Sequence, residues 1–553
     1  MTTRPTEYVE REVKLAAGPN FELPDLAGVL AGCEIGAPVL SELEAVYFDT
    51  ADVRLIRAGI TVRHRRDASR DASHDANHDA SRAEWTVKLP EGAATGPALL
   101  RREHTVRAGP GRSQTDDGAG PVGTEPLGPG PAGGEPLGPV PASLDALVRA
   151  VARTAALLPV ARLRTTRRRR ALRGPGGQAW GELDDDEVIV DIPGAPPEGT
   201  ADRHESHFRE IEVELTESAP PELLDALVAR LRAAGAGAHD PSPKLARALG
   251  PRASAPPELG PPVLHDGASA AEVVGAALIA SVARIIEHDR VIRVDADPEG
   301  VHQARVGARR LRSDLRTFGP LLDRSWSEPL RDELRWIAAE LGTARDADVL
   351  AARVQRQIDG LGVEDRVAAA PLLDALRHQR AEAHRALAAA LEDRRYLELL
   401  DRLVDGANEP RLTIEAAAPA VDVLPRLVSS PWRKLRRAVD DLDEGPTDDQ
   451  LHQVRIRAKR ARYAADVARP VAAKSAAKLA RSLSELQDVL GEVHDAAVTE
   501  TWLRNASRSS TPAAALAAGL LVAGQRADAA QSRDLWPAAW RSARAKKRTG
   551  WLT

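Results

Sequence analysis

Two short segments of the sequence place carboxylates at alternate positions, the spacing that puts side chains on one face of a β-strand. In residues 9–15 one face carries Glu10, Glu12 and Lys14, and the other carries Val13 and Leu15. Residues 210–215 repeat the pattern with Glu210, Glu212 and Glu214. Carboxylate oxygens ligate hard cations such as Mg²⁺ or Mn²⁺, and Lys or Arg binds phosphate oxygens. The two segments therefore predict a site that holds a polyanion through a divalent metal.

Other strand-like segments also carry cations on one face, which argues against the alternative of isolated strands with solvated outer faces. Arg63 and Arg65 share a face, and Lys88 lies opposite an apolar face of its own segment. Residues 162–173 hold seven arginines and no acidic residue. We expect a sheet that closes around these charges, with helices covering its apolar outside. The helix candidates for that cover are residues 25–31 and 221–234.

Taken in order, these elements resemble the CYTH superfamily, the triphosphate tunnel metalloenzymes. The resemblance covers residues 5–250 and rests on the Glu-x-Glu-x-Lys motif of residues 10–14, Tyr47–Thr50, Arg63-x-Arg65, the Lys88 strand, the late glutamate strand and Pro243-Lys244. It implies an eight-stranded antiparallel β-barrel that forms a tunnel. Members of the superfamily hydrolyse inorganic triphosphate or thiamine triphosphate, or cyclise ATP.

The resemblance also implies roles for single residues. The implied metal ligands are Glu10, Glu12, Asp184, Glu210, Glu212 and Glu214. The implied catalytic residues, which would hold the triphosphate, are Lys14, Arg63, Arg65, Lys88, Arg164 and Lys244. Arg167 is the alternative to Arg164, and Arg102 is a weaker candidate. Asp184 belongs to a run of three aspartates, so its register stays open by a residue or two.

The second half of the chain contains an internal repeat. Residues 302–312 recur as residues 452–462 at an offset of 150, and residues 341–346 recur as residues 490–495 at an offset of 149. Two matched blocks at nearly equal offset indicate duplicated structural units. Ala, Leu, Arg and Glu dominate both copies, which predicts helices.

A basic stripe follows one helix face in each copy, because its members are spaced three and four residues apart. The stripes consist of His302, Arg305, Arg309, Arg312 and Arg316, and of His452, Arg455, Lys459 and Arg462. The alternative is a solvated helix face. Like charges at this spacing repel each other, however, and both stripes lack an acidic member. We therefore expect an anionic ligand to offset them.

This half resembles the CHAD domain, on the His-Gln-x-Arg helix, the Leu-Gly-x-x-Arg-Asp segment and the duplication. The resemblance spans residues 268–550, with repeats at 268–410 and 418–550. It implies two pseudo-symmetric four-helix bundles whose basic helices line a central pore or cleft. It also implies that the two stripes bind inorganic polyphosphate. Arg310 and Arg460 point elsewhere on the helix, and we expect them to bridge to the segments of Asp346 and Asp495.

Composition sets further bounds on the chain. Its 553 residues suffice for two or three domains, and a net charge of −5 means that any basic groove is local. The single cysteine, Cys33, excludes an internal disulfide and a Cys-rich metal site. The sequence shows no leader-like run and no apolar stretch of membrane-spanning length, so we expect a cytoplasmic protein without membrane contacts. The polyphosphate binding that the CHAD resemblance implies adds an expected association with polyphosphate granules.

Three segments predict little regular structure. Residues 67–83 and 109–141 lie between strands and read as disordered insertions. Residues 251–267 are Pro-rich and predict a linker between the two halves.

The sequence thus predicts an α+β multidomain protein, with a CYTH barrel followed by an all-α CHAD domain. The first interpretation is a metal-dependent hydrolase of a linear triphosphate, with inorganic triphosphate favoured because no aromatic cluster offers to stack an organic group. The alternatives are a polyphosphate-binding protein whose barrel has little turnover, a thiamine triphosphatase and an adenylyl cyclase. Nucleic acid is the weaker alternative as ligand of the helical half.

Overall fold

The computed structural model describes residues 6–67, 83–90, 99–107, 138–193, 207–240, 242–260, 263–295 and 297–552. Side chains are described for the same residues except 6–11, 99–101, 107 and 295. The predicted insertions, 67–83 and 109–141, fall almost wholly outside this part of the chain. The chain divides into two compact units, the first ending at Glu258 and the second beginning at Leu259.

The first unit is built on an antiparallel sheet. Its strands, in the part of the chain that is described, are β1 Thr6–Ala17, β2 Glu34–Ile35, β3 Val39–Asp49, β4 Thr61–Asp67, β5 Glu84–Pro90, β6 Leu99–Arg107, β7 Leu158–Arg173, β8 Ala179–Asp191 and β9 His207–Leu215. Its helices in the same part are α1 Arg54–Arg57, α2 Ala142–Ala152, α3 Pro221–Ala233, α4 Lys244–Leu249 and α5 Pro251–Ser254.

The sheet closes on itself. Strands follow the order β7-β3-β4-β5-β6-β1-β9-β8, and β8 pairs with β7 again, while the short β2 extends β3 along β7. Each of these eight strands therefore has a partner on both sides, and the predicted eight-stranded antiparallel barrel is confirmed. Side chains alternate between the barrel interior and its outside along every strand.

Helix α3 covers part of the apolar outside, as residues 221–234 predict. Leu223, Leu227 and Leu231 are fully buried in one cluster with Val13 of β1 and Ile211 of β9. Burial of these side chains against the sheet stabilises the strands that carry the inward-facing charges.

The predicted helix at residues 25–31 is wrong. These residues form turns, and Gly28 has a φ of 71°, a left-handed conformation that ends helical geometry. Leu26 still packs in the cluster beneath α3, so the segment covers the barrel without a helix.

Part of the predicted linker belongs to the first unit. Residues Pro251–Ser254 form α5, and the Arg57 side chain donates a hydrogen bond to the Pro256 carbonyl at 3.0 Å. Arg153 forms an ion pair with Glu258 at 2.8 Å. These contacts hold residues 251–258 against the first unit.

The second unit is helical throughout its described residues. Its α-helices there are α6 Ala270–Asp295, α7 Pro298–Thr317, α8 Arg324–Asp359, α9 Val363–Ala368, α10 Ala370–Glu392, α11 Arg394–Asn408, α12 Ala420–Asp440, α13 Asp448–Val467, α14 Arg469–Ser507, α15 Pro512–Ala543 and α16 Lys546–Thr549. None of the described helices is long and apolar enough to span a membrane.

The sequence repeat falls on equivalent helices of this unit. The two basic stripes lie on α7 and α13, and the two Leu-Gly segments lie on the long helices that follow, α8 and α14. Each stripe helix begins at a side-chain cap, Asp297 for α7 and Thr447 for α13. Helix α7 packs against α8, α13 packs against α14, and the two stripe helices contact each other.

Candidate functional site

The barrel encloses a cavity of about 670 Å³. Its wall is mostly polar because strand alternation turns the charged face of β1 and β9 inward while α3 buries the apolar face. The charged residues that line it are Glu12, Lys14, Arg63, Arg65, Lys88, Glu103, Arg167, Arg169, Glu182, Glu212, Glu214, Glu217 and Lys244.

Three buried carboxylates converge at one wall of the barrel. Asp186 of β8 is directly opposite Glu210 of β9 in the strand register, and Glu212 follows two residues later on the same face. One carboxylate oxygen from each residue lies within 4.8 Å of the other two. Three anionic oxygens at this spacing suit a hard divalent cation such as Mg²⁺ or Mn²⁺.

The acidic residue of β8 in this group is Asp186, which lies within the register that the sequence left open around Asp184. Asp184 also faces inward, but both its oxygens accept hydrogen bonds from Arg169 at 2.9 Å, and Arg167 lies 2.5 Å away. The arginines therefore occupy the Asp184 carboxylate.

Cations contact the same three carboxylates. The Lys244 ammonium lies 3.0 Å from Asp186, 2.6 Å from Glu210 and 2.8 Å from Glu212. Lys14 donates to Glu212 at 2.5 Å, and Arg167 donates to Asp186 at 2.6 Å and to Glu212 at 2.9 Å. Carboxylates and cations thus form one continuous buried network.

This network keeps its members charged in spite of burial. Burial alone lowers the pKa of Lys244, but Glu210, Glu212 and Asp186 outweigh it and hold that pKa well above its ordinary value. Burial likewise raises the pKa of Glu212, yet Lys14, Lys244 and Arg167 bring it well below the ordinary value of a glutamate. Lys244 and Glu212 are therefore ionised at neutral pH.

A second group of cations faces the tunnel from strands β4 and β5. Lys88 lies 2.8 Å from Glu103 of β6, and Arg63 lies 3.9 Å from the same carboxylate. Arg65 forms an ion pair with Glu84. The charge of Arg63, together with burial, lowers the pKa of Arg65, so an anion in the tunnel would relieve this repulsion. Sequence reasoning missed Glu103, which belongs to no motif and is recognised only through its pairing with Lys88.

The remaining predicted tunnel residues have different surroundings. Glu12 and Glu214 line the cavity, and burial together with the charge of Glu212 raises the pKa of Glu214. Glu10 lies in β1, but its side chain is outside the described part of the structure. Arg164 is exposed on the outer face of β7, so its assignment to the tunnel is wrong; Arg167, its alternative, lines the cavity. Arg102 is not among the residues that line it.

The second unit contains a groove with a volume of about 720 Å³ between the stripe helices. All five members of the first stripe line it: His302, Arg305, Arg309, Arg312 and Arg316. From the second stripe, His452, Arg455 and Lys459 line it. Arg462 does not, because Asp466 at 3.6 Å and Gln487 at 3.3 Å hold its guanidinium; Arg460 lines the groove instead.

Two glycines of the long helices lie beside arginines of the stripes, at distances where a Cβ would make ordinary van der Waals contact. A Cβ at Gly342 of α8 would lie 3.8 Å from the Arg305 guanidinium, and one at Gly491 of α14 would lie 3.6 Å from that of Arg455. One helical turn after Gly342, Asp346 accepts a hydrogen bond from Arg305 at 2.9 Å. The predicted contact of Arg310 with the Asp346 segment is wrong, because Arg310 faces Asp314 at 3.7 Å.

The groove crowds positive charge with little compensation. Burial, reinforced by Arg309, Arg455 and Arg305, lowers the pKa of Lys459 to about 7. Burial and nearby cations also lower the pKa of His302 and of His452. The two histidines are therefore neutral at physiological pH, and a groove of this kind is suited to a polyanion.

Comparison with known proteins gives a relative over most of the chain and solved structures that are similar to parts of it. The uncharacterized protein Rv2226 of Mycobacterium tuberculosis is 33% identical over 518 residues, which cover 90% of this chain and 89% of that protein. The crystal structure of a CHAD domain from the plant Ricinus communis is 25% identical, with a TM-score of 0.43, and covers 52% of this chain and 96% of its own. A putative adenylyl cyclase from Hippeastrum, described as having a dominant triphosphatase activity, is 16% identical with a TM-score of 0.23 and covers 43% of this chain and 93% of its own.

Two family models match the chain in succession. The model of the CYTH domain matches residues 9–240, and the model of the CHAD domain matches residues 276–504. These matches fall on the barrel unit and on the helical unit. The chain belongs to the family of proteins in which a CYTH domain is followed by a CHAD domain.

Proposed function

We propose that the barrel tunnel hydrolyses a linear triphosphate, inorganic triphosphate in the first place, with Mg²⁺ or Mn²⁺, and that the helical groove binds inorganic polyphosphate. The observation that carries the first part is a cluster of three buried carboxylates in contact with Lys14, Arg167 and Lys244, which line the cavity beside further cations. The carboxylates are Asp186, Glu210 and Glu212, and the cations are Lys14, Arg63, Arg65, Lys88, Arg167 and Lys244.

The lining favours an inorganic substrate over thiamine triphosphate or ATP. Among the described residues that line the cavity, the only aromatic side chain is Tyr47. An organic group is usually held by stacking on aromatic rings, and this wall offers mainly charged groups. Phosphate oxygens are the substrate atoms that such a wall can recognise.

The arrangement meets the main demand of phosphoryl transfer to water. A water oxygen bonds to the terminal phosphorus, the bond from phosphorus to the bridging oxygen breaks, and pyrophosphate leaves with the electron pair. Lys14, Lys244 and Arg167 line the cavity and would donate hydrogen bonds to the phosphate oxygens of a triphosphate there. They would then offset the charge that grows on the leaving oxygen. Asp186, Glu210 and Glu212 would hold a divalent cation, which would supply further charge neutralisation and favour deprotonation of the attacking water.

Replacing one carboxylate of the cluster tests this proposal. Glu212→Gln should lower phosphate release from inorganic triphosphate at least about a hundredfold, because the variant lacks both a metal ligand and the partner of two lysines. Activity should be measured with Mg²⁺, with Mn²⁺ and with a chelator, and thermal unfolding should show that the variant is folded.

Glu187→Gln is the matched control, since Glu187 lies on the outer face of β8 and its nearest cation, Arg168, is 3.7 Å away. It should retain wild-type turnover. Activity that survives both Glu212→Gln and the chelator would refute the metal-dependent hydrolase.

The binding of polyphosphate to the groove is supported by its uncompensated charge. Within the described part of the chain, Arg309, Arg312 and Arg316 form no ion pair with a carboxylate, although all three line one groove. Their mutual repulsion destabilises the free protein, and a chain of phosphates would offset it. A flexible chain can also contact both stripe helices at once.

Neutralising the stripes should weaken polyphosphate binding in proportion to the charge removed. Two double variants should each reduce the affinity strongly: Arg305→Gln with Arg309→Gln, and Arg455→Gln with Lys459→Gln. The fourfold variant that combines them should nearly abolish binding. The slope of log affinity against log salt should become shallower by roughly 0.7 for each phosphate that the protein no longer neutralises.

Arg324→Gln with Arg394→Gln is the control for this series, because both side chains are exposed and pair only within their own helices. Binding to long-chain polyphosphate can be followed by titration calorimetry at several salt concentrations. Unchanged affinity of the fourfold variant, or equal affinity for duplex DNA at matched salt, would mean that the stripes are solvated faces.

Lys459 gives the groove a dependence on pH. Its pKa of about 7 lies below the ordinary 10.5, and a bound polyanion favours the charged form, so binding should take up a proton. Affinity should be highest below pH 7 and should decline as pH rises above 7 toward the pKa of the complex. Lys459→Gln should remove this decline, which calorimetry in buffers of different ionisation enthalpy can measure. The exposed Lys478→Gln should leave it unchanged, and a wild-type affinity that is flat from pH 7 to 9 would contradict the role of Lys459.

A further inference from the structure

The groove of the helical unit is more basic at one end than at the other, although duplicated sequence builds both ends. Helix α8 faces the groove through Ala338, Arg345 and Val349. Arg331 and Arg335 precede Ala338 by seven and three residues, so helical periodicity places them on the same face of α8, beyond the end of the groove. From Arg345 to Arg331 this face extends for about 21 Å at 1.5 Å per residue.

These two arginines continue the charge of the α7 stripe. Burial is the largest cause that lowers the pKa of Arg312, and the charges of Arg335, Arg316 and Arg331 add to it. The pKa of Arg316 is likewise lowered by burial and by the charges of Arg331 and Arg335. The guanidinium groups of α7 and α8 are therefore close neighbours. Burial and the charges of Arg316, Arg457 and Arg312 lower the pKa of Arg460, which brings α13 into the same cluster. We call this cluster the basic extension; its members are Arg312, Arg316, Arg331, Arg335 and Arg460.

Carboxylates compensate little of the basic extension. Among the described residues, Arg335 alone of its five members has a carboxylate partner, Asp332 at 2.8 Å, and both side chains of that pair are exposed. The Nε atom of Arg331 is buried and has no hydrogen-bond partner. A phosphate oxygen beside this side chain would supply an acceptor that the described residues do not.

The second repeat lacks an equivalent cluster. At the offset of 150, Asp466 takes the position of Arg316, and at the offset of 149, Ala480 and Ser484 take those of Arg331 and Arg335. Arg462, the counterpart of Arg312, is held by Asp466 and Gln487. The groove therefore has one cationic end and one nearly neutral end.

We propose that Arg331 and Arg335, which continue the basic extension beyond the end of the groove that Arg312, Arg316 and Arg460 line, bind the part of a long polyphosphate chain that the groove itself cannot hold. The proposal rests on the proposed binding of polyphosphate to the groove. A flexible linear polyanion passes over both the groove and these two arginines, and each further phosphate that is neutralised releases counterions and raises affinity. A short chain occupies the groove alone, so the extension makes the protein select long chains.

The test uses a double variant of the full chain that carries both Arg331→Gln and Arg335→Gln. Its affinity is compared with that of the wild type over polyphosphates of increasing length. Wild-type affinity should keep rising with chain length after that of the variant has reached a plateau. For the longest chains the variant should bind at least about tenfold more weakly at low salt, and its log–log salt slope should be shallower by roughly 0.7 to 1.4. Short chains should bind both proteins equally.

Arg377→Gln with Arg481→Gln is the matched control, since it removes the same charge from the same unit. Arg377 pairs with Asp374 three residues away, as Arg335 does with Asp332, and both its side chain and that of its partner are exposed. Arg481 is exposed and does not line the groove. This control should show the wild-type dependence on chain length.

The outcomes separate the extension from the groove. One outcome refutes the extension and leaves the binding of polyphosphate to the groove intact. In that outcome the wild type binds long polyphosphate and the fourfold stripe variant does not, while the variant at Arg331 and Arg335 matches the wild type at every chain length. If the wild type binds no polyphosphate, the proposed function fails first. If single-stranded DNA binds as tightly as polyphosphate and its affinity falls as much on substitution, the extension is a general anion surface and the assignment to polyphosphate is overturned.

Discussion

Buried charge is the constraint on which the barrel unit depends. Strand alternation turns carboxylates and cations into the interior, and closure of the sheet removes most of the water that would otherwise solvate them. A buried ion remains ionised only if opposite charges and hydrogen bonds offset its desolvation. The contacts of Lys244 and Arg167 with Asp186 and Glu212 do so, and they keep both signs of charge in place. We propose that the carboxylates of this network would bind a metal ion and its cations would bind phosphate, in place of their contacts with one another.

The helical unit handles charge in the opposite way. Its groove gathers cations of one sign, and the consequence is visible in Lys459, whose pKa falls to about 7 because burial and neighbouring arginines disfavour its charge. Packing of α7 against α8 and of α13 against α14 must offset this repulsion in the free protein. The two units thus differ in how their charges are compensated: the barrel pairs its cations with carboxylates, and the helical groove leaves most of its cations without carboxylate partners among the described residues.

The sequence was sufficient for the architecture and for much of both sites. Alternation in residues 9–15 and 210–215 predicted the inward faces of β1 and β9, and spacing of three and four predicted the stripe on α7. The error at Arg164 and the open register at Asp184 arise where alternation carries no information. Both faces of β7 hold arginines, so the pattern could not tell Arg164 from Arg167, and a run of three aspartates could not tell Asp184 from Asp186.

Other features depend on tertiary contacts that no local pattern contains. Glu103 became recognisable only once β5 and β6 placed it beside Lys88. Arg462 follows the spacing of its stripe, yet Asp466 draws its guanidinium away from the groove.

The most direct measurement of the central claim is anomalous diffraction from crystals soaked with Mn²⁺ and inorganic triphosphate. The account predicts a metal peak about 2 Å from oxygens of Asp186, Glu210 and Glu212, with phosphates against Lys14 and Lys244. A metal peak elsewhere, with these carboxylates still bound to their lysines, would contradict it.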